Sequence, residues 1–178
     1  AGLGRYVDAL GQEAAELEKQ GRHYFQQRKW AEAVLAFRKS MTGDPVGFDA
    51  QEFLDKAMVE LEQQARIERE MDQATRALKQ NDYATALQKF YRLQQDHPGM
   101  KNLDTYILNS WFNWGISLLQ EGEPDEAAER FKEVLDIDAS DMEAARAAEV
   151  AKRYHGRQRD AVYQAFASSL KPRALDQN

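Results

Sequence analysis

Few residues in this chain combine a reactive type with a useful spacing. His23, His97 and His155 are its three imidazoles, and none has a second histidine at ligand distance along a helix. The absence of cysteine excludes thiolate zinc sites, disulfide frameworks and cysteine nucleophiles. The run Glu121-Gly-Glu-Pro-Asp-Glu126, with Glu129 beyond it, has the carboxylates that acid–base chemistry or a cation would use. Pro124 gives the run a simpler role, because proline at a first helical position, with Asp125 and Glu126 in the first turn, is how a helix N-terminus meets negative charge. Asp136-Ile-Asp138-Ala-Ser140-Asp141 offers oxygens at the spacing of a calcium-binding loop. It places Asp141 where the sharp turn needs glycine and Ala147 where a bidentate Glu must close the loop. There is no Gly-rich phosphate cradle, nucleophile elbow or paired-His helix motif. The chain is therefore read as non-enzymatic, with no catalytic residues, no metal and no cofactor.

The elements that carry these residues are helical. Among 178 residues there are only 10 Gly and 4 Pro, few for a chain with many turns. Strong helix formers outnumber the β-branched residues that sheets favour. No apolar run approaches the length of a membrane span. A net charge of −6 argues against a nucleic-acid surface, which needs clustered Lys and Arg. The chain starts at Ala1, which suggests a processed or excised protein with an N-terminus that is truncated.

An internal repeat organises the helices. From Gly21, Ala74 and Gly115 it is 12 residues to Ala33, Ala86 and Ala127, and 16 to Phe37, Phe90 and Phe131. Each small residue allows a second helix to come close, and each Phe fills the space beside the pair. Polar breaks of turn length separate the two helices at Gln26–Trp30, Lys79–Tyr83 and Gln120–Pro124. Trp30, Trp111 and Trp114 fall at packing positions of the repeat.

With Tyr24, Pro45 and Trp111 added, this pattern resembles the tetratricopeptide repeat (TPR), a helix-turn-helix unit of about 34 residues. The resemblance covers residues 14–47, 67–100 and 108–141. Gln20, Gln73, Glu70 and Ala139 depart from it. It implies an all-α fold, an α-solenoid of antiparallel helix pairs in a TPR-like superhelix, with a C-terminal cap, forming one domain over residues 1–170. Repeat starts at Ala14, Ile67 and Leu108 lie 53 and 41 residues apart, so 19 residues are inserted over 48–66. They are read as one long helix capped by Asp49, or as two helices with a kink near Gln63–Ala65, covered by the helix holding Val7, Leu10, Ala14 and Leu17. An N-cap is placed at Asp104. Capping helices follow over 141–170, the first packing Met142, Ala145, Ala148, Val150, Ala151 and Tyr154, the second Val162, Tyr163, Phe166 and Leu170. Residues 171–178 are read as a disordered tail.

The resemblance also implies a function, a protein–protein interaction scaffold that binds a partner's peptide or helix in the concave groove lined by the first helix of each pair. That groove is assigned Arg22, Phe25, Met71, Thr75, Leu78, Asn109, Phe112, Asn113, Ile116 and Leu119. Chaperone-binding relatives clamp a peptide carboxylate with several cations, whereas the matching positions here hold Glu18, Arg22, Asp72, Asn109 and Asn113. An apolar floor with two amides above it suits an amphipathic helix or extended peptide. The groove has two candidate occupants, a partner or the chain's own Gln158–Leu170 helix. The stretched repeat spacing is similar to that of bacterial cell-envelope assembly proteins, which leaves cytoplasm and periplasm both open. Two alternatives stand beside the scaffold: a regulatory, ligand-sensing domain of a larger signalling protein, and a structural protein that self-assembles as a homodimer through the Phe53–Leu61 helix.

Overall fold

The structure, a computed structural model, describes residues 2–43 and 48–175. It contains α1 (Gly2–Gln26), α2 (Trp30–Gly43), α3 (Phe48–Lys79), α4 (Tyr83–Asp96), α5 (Leu103–Glu121), α6 (Pro124–Ile137), α7 (Met142–Arg153) and α8 (Ala161–Ser169), with no strand among the described residues. The chain forms two compact units, Ala1–Glu68 and Arg69–Asn178. The boundary between the two units falls inside α3. Pro45, read as closing the first repeat, lies outside the described residues.

The repeat register reappears in the backbone. Seven residues after Gly21, Ala74 and Gly115 stand Arg28, Asn81 and Gly122, all left-handed, with φ of 57°, 59° and 85°. In each case the next N–H reaches back to a helix carbonyl: Lys29 to Tyr24 at 2.9 Å, Asp82 to Ala77 at 2.9 Å and Glu123 to Leu118 at 2.8 Å. This satisfies carbonyls that a helix end leaves open and reverses the chain in a few residues. Each following helix, α2, α4 and α6, is then 14 residues long. Ala33, Ala86 and Ala127 and Phe37, Phe90 and Phe131 are all fully buried. The three hairpins are TPR-like in their own geometry. Of the three turns, only the first places a long side chain in the left-handed region, which disfavours a Cβ. Arg28→Gly is therefore expected to stabilise the first unit by about 0.5–1 kcal/mol. Urea unfolding checks this, and an unchanged or lower midpoint would contradict it.

In the first unit, α2 supplies Ala33, Val34 and Phe37 and the first half of α3 supplies Ala50, Leu54 and Ala57 to one core, with Phe25, Phe53 and Leu61 packed against it. Phe53 stacks on Phe37 at 5.8 Å and meets Phe25 edge-on at 5.1 Å. The sequence predicts that the start of α1 covers this inserted helix. Instead Leu3, Tyr6 and Val7 are exposed, and α3 lies on the α1–α2 hairpin where a next repeat's first helix would lie. The small residues Ala50 and Ala57 allow that approach. Of the Phe53–Leu61 face offered for pairing of two copies, Leu54 and Ala57 are buried and Phe53 and Leu61 partly buried within its own unit, while Met58 and Val59 stay exposed. α3 is one continuous helix that begins at Phe48, so Asp49 sits in its first turn and not at the cap.

In the second unit α5 has ten buried residues, more than one helical face provides. It is packed by α4, α6 and α8. Its N-cap is Asn102, left-handed at φ 69°, two residues before the Asp104 expected there. Asp141 caps α7 by accepting the Ala144 N–H at 2.9 Å. The buried stripe of α7 is Ala144, Ala147, Ala148 and Ala151, while Met142 is 85% exposed. The stripe is rotated from the predicted one because alanines at 144 and 147 fit closer to α6 than Met142 could. α8 is shorter than predicted and buries Tyr163 and Ala167, leaving Val162 exposed.

Candidate functional site

The ten groove residues fall into both units, Arg22 and Phe25 in the first and the other eight in the second. Arg22 is engaged within its own unit: its Nη2 lies 2.7 Å from Glu18 and 3.4 Å from Asp49, and its guanidinium sits over the Phe53 ring. Phe25 packs edge-on against Trp30 and Phe53 at 5.1 Å each. Both pack against Phe53 of the inserted part of α3 and remain partly exposed. Trp111 and Trp114 stack on each other at 5.5 Å, and Arg130 covers Trp114 at 4.1 Å.

On α5 of the second unit, Phe112, Ile116 and Leu119 are buried in a core shared with α6, α7 and Tyr163 of α8. Phe112 supports Phe131 edge-on at 5.5 Å. The Tyr163 hydroxyl donates to the Leu119 carbonyl at 2.6 Å. Thus α8 covers part of what the sequence assigns to a partner.

Beyond α8 the chain continues across α5 in an extended strap. Leu170, in the β region, and Pro172 set this conformation, since proline excludes helix for itself and disfavours it before itself. Asn113 holds the strap through a two-point amide contact: Oδ1 accepts the Arg173 N–H at 2.7 Å, and Nδ2 donates to the Arg173 carbonyl at 2.9 Å. One helical turn away, Asn109 Nδ2 donates to the Ala174 carbonyl at 3.1 Å. The Arg173 guanidinium donates to both Asp141 oxygens at 2.6 and 2.8 Å and to Glu143 at 3.0 Å, and lies 3.7 Å from the centre of the Phe112 ring. Where the sequence reads as a disordered tail, the structure sets Arg173 and Ala174 against α5; residues 176–178 lie outside the described residues. The sequence could not show that Asp141, read as a helix start, is also the partner of an arginine 32 positions away.

This pairing has an electrostatic signature. The Arg173 hydrogen bonds hold the Asp141 carboxyl below its ordinary value of 3.8, helped by the Ala144 N–H and opposed by burial. Burial would lower the Arg173 value, but the hydrogen bonds it donates to Asp141 and Glu143, with their negative charges, outweigh it and raise it. A depressed carboxylate contributes fully above its unfolded value and loses its contribution as pH falls through the folded one. The strap is expected to stay docked at pH 5 and to release only below 3.8. The Arg173 amide resonance followed against pH checks this; release above pH 5 would contradict it. In Asp141→Asn, where the cap survives, that acid transition should disappear.

Beside the strap a cavity of ≈ 550 Å³ remains, lined by Thr75, Leu78, Asn81, Tyr83 and Asn113 among others, with Pro172–Leu175 forming one wall. Met71 is half-buried outside it. No group of three or more His, Asp or Glu able to hold a metal occurs among the described residues. Asp138 turns its carboxylate to the Ser140 N–H and hydroxyl, ordering the α6–α7 turn. No described helix is long and apolar enough to cross a membrane.

No family model and no curated protein matches the chain in sequence. Solved structures with similar helices include the first TPR of Spaghetti (RPAP3) bound to the HSP90 peptide SRMEEVD, at 18% identity and TM-score 0.28, covering 82% of this chain and 98% of that one. The C-terminal TPR-containing domain of a Plasmodium falciparum FK506-binding protein matches at 16% identity and TM-score 0.28, covering 84% and 93%. Neither likeness, at that score, bears on what this chain does. Its own turns and crossings identify it as an all-α protein built of TPR-like helical hairpins.

Proposed function

We propose that the chain is a non-catalytic interaction module that takes an extended peptide of a partner protein across α5, within a multiprotein assembly. The observation that carries this reading is the two-point contact of Asn113 with the Arg173 backbone, extended by Asn109 to Ala174. These amides read peptide groups, which every sequence has, so the same wall suits any extended segment of fitting side chains. Its present occupant is tethered and short, and a partner replaces it by competition. The stretched repeat spacing supports a bacterial assembly as the setting. Affinity capture with the full chain and with an Asn109→Ala, Asn113→Ala double variant tests the reading. A partner retained by the parent chain should fall at least about tenfold in the variant, which loses three hydrogen bonds to the bound backbone. Equal recovery would move binding away from α5.

A further inference from the structure

The strap is held by two kinds of contact with different information content. The amides of Asn109 and Asn113 touch only its backbone. The sole side chain the wall reads through polar groups, among the described residues, is Arg173. It meets a planar fork of acceptors from Asp141, a third acceptor from Glu143 and an aromatic face from Phe112. That set matches guanidinium chemistry: two parallel N–H donors for one carboxylate, a further donor for the second, and a flat cation over a ring. It is also built into the fold. The Asp141 side chain is 9% exposed and fixed by its cap to α7, and Phe112 is fully buried under the guanidinium.

We infer that Asp141, Glu143 and Phe112 form an arginine-reading subsite, which selects a partner segment bearing Arg in extended conformation, and that Arg173 occupies it in cis until that partner arrives. This rests on the peptide-binding reading above and names the partner's chemistry. The residue after the arginine is held through its backbone, since Asn109 donates to the Ala174 carbonyl while Ala174 itself is exposed. Lysine is a poor substitute, because a point ammonium cannot meet both oxygens of Asp141 in a fork. The cis segment is joined to α8 by only the residues after Ser169, so its effective concentration is about millimolar and it sets the threshold a partner must exceed.

The test uses the 178-residue chain with Arg173→Glu, which sets like charges against each other and unlatches the strap, and the milder Arg173→Lys as a second variant; circular dichroism verifies that each stays helical. The probe is a fluorescent peptide of sequence Ser-Leu-Lys-Pro-Arg-Ala-Leu, matching residues 169–175, and its counterpart with Ala in place of Arg. The Arg probe is expected to bind both unlatched chains at least about tenfold more tightly than the parent chain, and at least about tenfold more tightly than the Ala probe. Adding Glu143→Gln should reduce that preference. Equal binding of both probes, with loss in Asn113→Ala, would overturn the arginine subsite and leave the peptide groove standing. Binding of neither probe would overturn both. Tail exchange between copies, seen as a parent-chain dimer that Arg173→Ala dissolves, would give the subsite to a second copy and overturn the partner assignment.

Discussion

Truncating Phe131 to alanine is expected to lower the stability of the second unit by about 3–5 kcal/mol. The ring is fully buried, lies edge-on to Phe112 at 5.5 Å, and rests against the α5 backbone at Gly115. The space it leaves cannot collapse readily, because Ala127 already brings α5 and α6 to close approach. Urea unfolding should show a lower midpoint with an unchanged slope. A loss under about 1 kcal/mol would mean that the hairpin relaxes into the void, contrary to this packing. The same contact gives a test of opposite sense. A methyl group added at Gly115 would lie 2.7 Å from a Phe131 ring carbon, and at Gly21 2.7 Å from Phe37. Gly115→Ala should therefore cost about 1–3 kcal/mol through overpacking, offset in part by the roughly 1 kcal/mol that alanine contributes as a helix former. Combined with Phe131→Leu, which makes room, it should cost less than the sum of the two changes.

The second large effect is expected at Tyr163. α8 has nine residues, too few to persist as a helix without tertiary contacts. Tyr163 is 1% exposed, meets Tyr154 edge-on at 4.9 Å, and donates its hydroxyl to Leu119. Tyr163→Ala should cost about 3–5 kcal/mol, with α8 and the strap leaving α5 together. In hydrogen exchange, protection over residues 161–175 should vanish while α5 and α6 keep theirs. Persistence of protection there would show that α8 docks without Tyr163. Tyr163→Phe should cost only about 1 kcal/mol, because the Leu119 carbonyl keeps its bond from the Gly122 N–H.

The hairpins were legible because their determinants are local and repeated. Gly21, Ala74 and Gly115 fix where the helices cross, and the residues seven positions on fix the turns, so three copies of one pattern point to the same backbone. The candidate site was legible only in part. Asn109 and Asn113 were assigned from their register, and the structure sets them against the strap; Arg22 and Phe25 were assigned to the same groove, and the structure packs both against Phe53 of α3. Whether a face is open depends on what packs on it, and that contact spans many residues. The α7 stripe was misplaced for a related reason: helical periodicity fixes which residues share a face, whereas the neighbour decides which face is turned inward.

By itself the sequence determined that this protein is helical, that it contains three helical hairpins of one design, and that it lacks recognisable catalytic or metal-ligating spacings. Those properties rest on turn chemistry, small residues and spacing, which act over a few turns of chain. The tertiary structure alone decided that α3 completes the first unit's core, that α8 covers Leu119, and that Arg173 meets Asp141 and Glu143 over Phe112. These contacts join residues far apart in the chain, and a lone arginine beside a proline carries no mark of its partner until the fold brings the two together.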